Sequence, residues 1–400
     1  MSLTTRIITR LWQKPRLISD DKPRMESWLE LFYDVTFVAV VAALAKRLAD
    51  DISWMGFIEF VFLYIPVWWA WFGSTMYNNR FESDDASHRI FTFLKMLPVG
   101  GMAITVQGAL EEYAVGFALS YIAARLILVY LWYRAGSSNP IARPLADRYV
   151  IGFSLSIILW SISLFMPAPY MFLLWGAGLV FDLVTPLTTS AIQKQLPKLG
   201  TAHLHRRFGL FTIILLGEAV IGILSGINEL EQIVPQTLLV GTFGILLTCS
   251  IWWIYFDDVM QEQELPHYPW FFIWVYGHLF LAIGLTAFGA GIINLVKYKE
   301  VAIEWLQVDM LIAGSMMLSL LALAVIEMAY TIRNDRCQME RECGQLRLFG
   351  GLVAIIIGFS AYQLGPVLML VLLIIAQALQ ILRGRSVRRR LGLPRRKLII

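Results

Sequence analysis

An all-α polytopic membrane protein of about twelve transmembrane helices, in two six-helix halves with the same topology and both termini cytoplasmic, is what this sequence predicts. Three observations carry that expectation: the apolar content, the number of long apolar runs, and the placement of positive charge. Of 400 residues, 58% are apolar and only 16% charged, with a mean hydropathy of +0.64. Globular chains hold about 45–50% apolar and 25% charged residues. A soluble enzyme is excluded. Each span takes about 20 residues, so roughly twelve spans and their connections use up the chain and leave no room for a large soluble domain.

The elements follow in order. Residues 1–27 form a basic arm without an apolar core or small-residue cleavage site, and no cleaved signal peptide is expected. Spans are predicted at Trp28 to Leu48, Trp54 to Tyr77, Ile90 to Leu110, Ala114 to Tyr133, Tyr149 to Phe165 and Tyr170 to Thr189, making the first half 28–189. A polar linker at 190–206 precedes the second half, 207–382. Its spans are predicted at Phe208 to Ile227, Val234 to Phe256, Trp270 to Val296, Trp305 to Ile332, Leu346 to Tyr362 and Pro366 to Leu382, and a basic tail occupies 383–400.

With the N-terminus inside, cytoplasmic segments hold 27 Lys and Arg and the outer loops 4; Lys95 and Arg125, within helices, complete the 33. Retention of positive charge on the cytoplasmic side then places both termini there. The three cysteines are Cys249 in an apolar run and Cys337 and Cys343 in a charged connection, which is no disulfide framework.

Trp68-Trp69-Ala70-Trp71-Phe72 recurs as Trp252-Trp253-Ile254-Tyr255-Phe256, each followed by an acidic loop: Glu82, Asp84 and Asp85, then Asp257, Asp258, Glu262 and Glu264. Phe32 and Thr36 likewise match Phe208 and Thr212. Units of even helix number share one topology, so the predicted pseudo-twofold axis runs along the membrane normal. Interfacial aromatic belts give a plainer reason for the tryptophans.

Ionisable groups deep in a bilayer are costly and normally face a bundle interior or a water-filled path. Arg125, Asp182 and Glu218 lie roughly 16 to 18 Å from their predicted helix ends, and Asp34 and His278 about 9 to 14 Å from the inner side, at 1.5 Å per residue. A lone guanidinium at that depth needs a carboxylate, so Arg125 is expected to pair with Glu218, Asp34 or Asp182, with Glu218 the best match in depth. Glu30 and Asp34 are four apart and share a helix face, suited to proton or cation handling; Glu30 alternatively pairs with Arg24 or Arg206. Glu218 sits among Gly217, Gly222 and Gly226, which allow close helix approach. Asp182 heads a run ending at Pro186, whose missing N–H frees the Asp182 carbonyl. Lys95, near the inner edge, is expected to snorkel. His278 is either a proton relay or a histidine bonded between helices.

No phosphate loop, zinc helix, nucleophile elbow or Cys-x-x-Cys pair occurs, and His203 and His205 have weak metal-ligand spacing. No cofactor, metal or nucleic-acid partner is expected. Eight basic residues and no acid lie between Arg383 and Lys397. Arg388, Arg389, Arg390, Arg395 and Arg396 are the predicted contacts to anionic lipid headgroups, each contributing about 1 kcal/mol near the surface.

Ser27-Trp28-Leu29-Glu30-Leu31-Phe32-Tyr33-Asp34 and the run Arg207-Phe208-Gly209-Leu210-Phe211 through Gly217-Glu218, with the two tryptophan segments, resemble the bacterial low temperature requirement protein A family over essentially the whole chain. The family has an acidic residue just before the second run where this chain has Arg206, so the resemblance implies no second acidic mouth equivalent to Glu30. It implies a bacterial multi-pass inner-membrane protein linked by name to growth in the cold, with neither substrate nor reaction. The duplicated architecture and midplane charges suggest a secondary transporter or ion-conducting protein. In it Asp34 and Glu218 are protonatable or cation-binding, Arg125 is their counter-charge, and the bilayer and a small solute or ion are its partners. The alternatives are a membrane-embedded enzyme or lipid-binding accessory protein of the envelope, and a purely structural membrane partner.

Overall fold

The computed structural model describes residues 12–18, 27–83, 85–260, 265–297, 302–330 and 337–390. Twelve of its helices are long and apolar enough to cross a bilayer, the pattern of a polytopic membrane protein. They are α1 (Trp28–Asp50), α2 (Trp54–Arg80), α3 (Ala86–Thr105), α4 (Ala114–Ser138), α5 (Arg143–Ser163), α6 (Tyr170–Leu187), α7 (Thr201–Asn228), α8 (Pro235–Ile254), α9 (Trp270–Lys297), α10 (Ala302–Tyr330), α11 (Cys337–Leu364) and α12 (Pro366–Arg390). A π-helical turn, Tyr255–Val259, extends α8.

Local chemistry sets several boundaries. The Asp85 carboxylate caps α3 by accepting from the His88 N–H at 3.1 Å. Pro235 opens α8, where its missing N–H costs nothing. Gly365, at φ 78°, ends α11 by donating its N–H to Ala361 O, and Pro366 starts α12 at once.

Helices outrun the apolar segments by the most at three places. α7 begins at Thr201, inside the predicted polar linker, α11 begins at Cys337, and α12 continues through the basic run to Arg390. Hydropathy locates only the apolar part of a helix. Arginine is a good helix former, and cations at a C-terminus complement the helix dipole.

The chain divides into two compact units. In the first, residues 1–43 and 62–207, α3 packs on α4, α4 on α5 and α5 on α6. Its core is aromatic: Trp160 stacks on Trp175 at 4.6 Å, and Trp132 lies 4.5 Å from Tyr149. A short strand β1 (Arg16–Leu17) pairs antiparallel with β2 (Phe81–Glu82). Gln13 N–H donates to Asp85 and Asn139 to Pro15 O, so this segment straps the ends of α2 to α4. In the second unit, residues 44–61 and 208–390, α9 is the most enclosed element, with 21 of its 28 residues buried; α10 packs on α9, α11 on α10, and α12 on α8 and α11.

Candidate functional site

Within the first unit, α1, α2 and the start of α7 each present residues four apart, so their side chains stack on one face of each helix. Glu30 and Asp34 come from α1, Trp71, Thr75 and Asn79 from α2, and His203 and Arg207 from α7. All seven are buried. Asp34 Oδ1 accepts from Trp71 Nε1 at 2.8 Å and from Arg207 Nη2 at 2.7 Å, while Arg207 Nη2 also reaches Thr75 Oγ1 at 3.2 Å. One turn along, His203 Nε2 lies 3.6 Å from Glu30 Oε2. Asn79 holds Gly200 through both amide groups and contacts His203 Nδ1 at 3.0 Å. Because the Asn79 NH2 faces Nδ1, that nitrogen accepts and the ring hydrogen points toward Glu30.

The upper rung is incompletely satisfied. Asp34 Oδ2 and Arg207 Nε and Nη1 are buried with no hydrogen-bond partner among the described residues. A charged pair withdrawn from water normally fills such valences, so these atoms mark a place where something else can bind or a proton can move. Glu30 also accepts from the Ser27 N–H at 2.9 Å, a helix-start contact. Arg24, an expected partner of Glu30, lies outside the described residues, as do Asp84, Glu262, Glu264, Arg395 and Arg396. Lys95 does not snorkel. It is 4% exposed, donates to Ser74 Oγ at 2.6 Å and sits 5.0 Å from the Tyr33 ring, because α3 turns it inward.

Arg125 pairs with Asp182, not with Glu218. Asp182 also accepts from Tyr121 at 2.6 Å and Ser156 at 2.7 Å, and the guanidinium lies 3.9 Å from the Phe153 ring. Gly73 makes room: a Cβ there would stand 3.2 Å from Arg125 Nη1. With three donors on one carboxylate, this centre is a tie between α4, α5 and α6.

In the second unit, Glu218 has neither hydrogen bond nor ion pair among the described residues. It lines a cavity of about 10 Å³ with Ala45, Leu215, Ala219, Thr286, Gly289 and Ile293. The expected close approach holds at Gly222, where a Cβ would meet Ile293 Cδ1 at 2.7 Å, whereas Gly217 faces open space. His278 bonds Trp274 O at 2.8 Å and Tyr255 Oη at 3.1 Å, a buried bridge between α9 and the π turn. Asp309, missed in the sequence, is 1% exposed with one oxygen unbonded.

The two tryptophan segments occupy different surroundings. Trp68, Trp69 and Trp71 are buried, whereas Trp252 and Trp253 are exposed and Tyr255 is buried. Of the tail residues, Arg385 stacks on Trp253 at 4.5 Å and Arg390 pairs with Glu342, while Arg389 is exposed. Outside the spans, burial pushes the Asp85 carboxyl up, but Ser87, the Gln13 and His88 amides and Arg134 together hold it below its ordinary value. Lys297 holds Glu229 below its own.

Arg207 and His203 escaped the sequence reading because His203 fell in the polar linker and Arg207 just ahead of the predicted span that begins at Phe208. Their spacing of four, matching Glu30 and Asp34, is the signal that finds them.

A sequence model of the family described as bacterial low temperature requirement A protein matches residues 26–382. An uncharacterized protein of Rhizobium meliloti (strain 1021) is 26% identical over 286 residues, covering 66% of this chain and 68% of that protein. No solved structure matches.

Proposed function

The chain belongs to the bacterial low temperature requirement A family, and on that premise we propose that it is a secondary transporter or ion-conducting protein of the bacterial inner membrane, working through its intramembrane carboxylates. The observation that carries this reading is the three-helix ladder: Glu30 opposite His203 and Asp34 opposite Arg207, one turn apart, with valences left open on the Asp34 rung. Ionisable residues at such depth mark solute or proton paths far more often than they stabilise a fold. A ladder whose rungs are a carboxylate–imidazole and a carboxylate–guanidinium pair passes a proton or a small ion by exchanging partners. The charge asymmetry of 27 to 4 supports cytoplasmic termini, and the even helix number with matching tryptophan segments supports two halves of one topology. In this reading Arg389, exposed in the last turn of α12, meets anionic headgroups together with the other arginines of the basic tail.

The test is flux of protons and of small cations into liposomes holding the purified protein. Asp34→Asn abolishes flux in this reading; flux that survives it removes the ladder from the path. An envelope enzyme would instead give lipid changes at low temperature in a deletion strain with unchanged ion flux.

A further inference from the structure

Glu218 is a mid-span carboxylate whose surroundings offer it no partner among the described residues. Its cavity of about 10 Å³ is the size of one water molecule. Six of the seven lining residues carry no charge, and apart from Glu218 the only lining side-chain oxygen is Thr286 Oγ1, which is already bonded to Ala282 O at 3.0 Å. The approach of α7 to α9 fixes this size, since a Cβ on Gly289 would meet Ala219 at 3.2 Å.

Resting on the transport reading, and naming its ion, we infer that Glu218 is a proton-binding site: its carboxyl takes up and releases a proton, and the cavity holds at most one water beside it. Ligand count decides between proton and metal cation. A hard cation wants about six oxygens, mostly charged or carbonyl. The lining supplies one carboxylate and a hydroxyl, and the helical carbonyls around it are engaged in their own ladders. A carboxyl in apolar surroundings, by contrast, is neutral once protonated and needs no counter-ion.

Other titratable groups on the elements around it are committed or turned away. On α1, Lys46 is exposed and Arg47 pairs with Glu59 at 2.7 Å. On α9, Lys297 pairs with Glu229 and His278 with Tyr255. On α8 the only titratable side chain between Pro235 and Ile254 is Cys249, which is exposed. Asp309 is on α10, which packs on α9 but contributes nothing to the cavity.

The experiment uses the full-length protein in lipid nanodiscs and an apolar carbodiimide, which adds only to protonated carboxyls shielded from water. Modified sites are mapped by peptide mass spectrometry across a pH series in lithium, sodium or potassium at fixed ionic strength. Label is expected on Glu218, increasing as pH falls, the same in all three salts, and lost in Glu218→Gln. Protection by one of the cations, or no label on Glu218 at any pH, overturns the proposal. The mapping reads the wild-type protein directly, so it holds even where Glu218→Gln fails to fold; Thr286→Val, which keeps the carboxyl, should label as wild type does. Labelling requires no transport. Label without liposome flux would leave the proton site standing and refute the transport reading, and flux without label would do the reverse.

Discussion

The first unit clothes the charges deep in its spans, whereas the second pairs Glu327 with Arg347 at 3.6 Å but leaves Glu218 and Asp309 bare among the described residues. Asp182 accepts from Arg125, Tyr121 and Ser156, and Asp34 from Trp71 and Arg207. Among the described residues Glu218 has no partner, and Asp309 keeps a buried oxygen unbonded. The difference teaches that depth alone does not assign a role to a carboxylate. A fully donated carboxylate is committed to one charge state, because losing the charge forfeits every donor around it. One without donors loses little on protonation and is free to titrate. Asp34 lies between these extremes, bonded on one oxygen and open on the other.

The contrast breaks or sharpens in measurable ways, the largest first. Arg125→Met strands Asp182 with its charge uncompensated and should cost about 3–5 kcal/mol of stability. Unfolding in detergent checks it, and adding Asp182→Leu should recover most of the loss. Should the single variant melt like wild type, the clothed centre is not a structural tie.

Asp34→Asn keeps a possible Trp71 contact but loses the charged bond from Arg207. We expect about 1.5–3 kcal/mol of destabilisation by the same unfolding assay, together with lost flux.

Asp85 serves the strap and the start of α3. Asp85→Asn, with a good capping residue in place, should cost about 1 kcal/mol or less near neutral pH. Asp85 is held below the ordinary aspartate value of 3.8 in the folded protein. Its contribution is therefore complete above that value and disappears as pH falls through the lower folded one. Melting curves of wild type and variant should converge on acidification; a gap that widens instead would reverse the assigned sign.

Glu218→Gln should change stability by less than about 1 kcal/mol, since no bond is removed. A loss as large as that of Arg125→Met would erase the distinction between the units. Smallest is Glu229→Gln: the pair with Lys297 is exposed, and no change in melting temperature is expected.

Twelve apolar runs, their order and the identities of Glu30, Asp34, Arg125, Asp182, Glu218 and His278 as ionisable groups within the spans were all legible along the chain, because the cost of placing polar groups in lipid depends on local composition and length. Partner choice was not. Arg125 and Asp182 are 57 residues apart, Asp34 and Arg207 173. Whether two such side chains meet depends on the rotation of each helix about its axis and on which helices pack together, and equal depth, the criterion that favoured Glu218, says nothing about either. His203 looked like a linker residue and Arg207 like the flank of the next span until α7 proved to start seven residues earlier than its apolar stretch, and Lys95 looked able to snorkel until α3 turned it toward Ser74. Composition decided that these helices enter a membrane; only packing decided which charges are satisfied there.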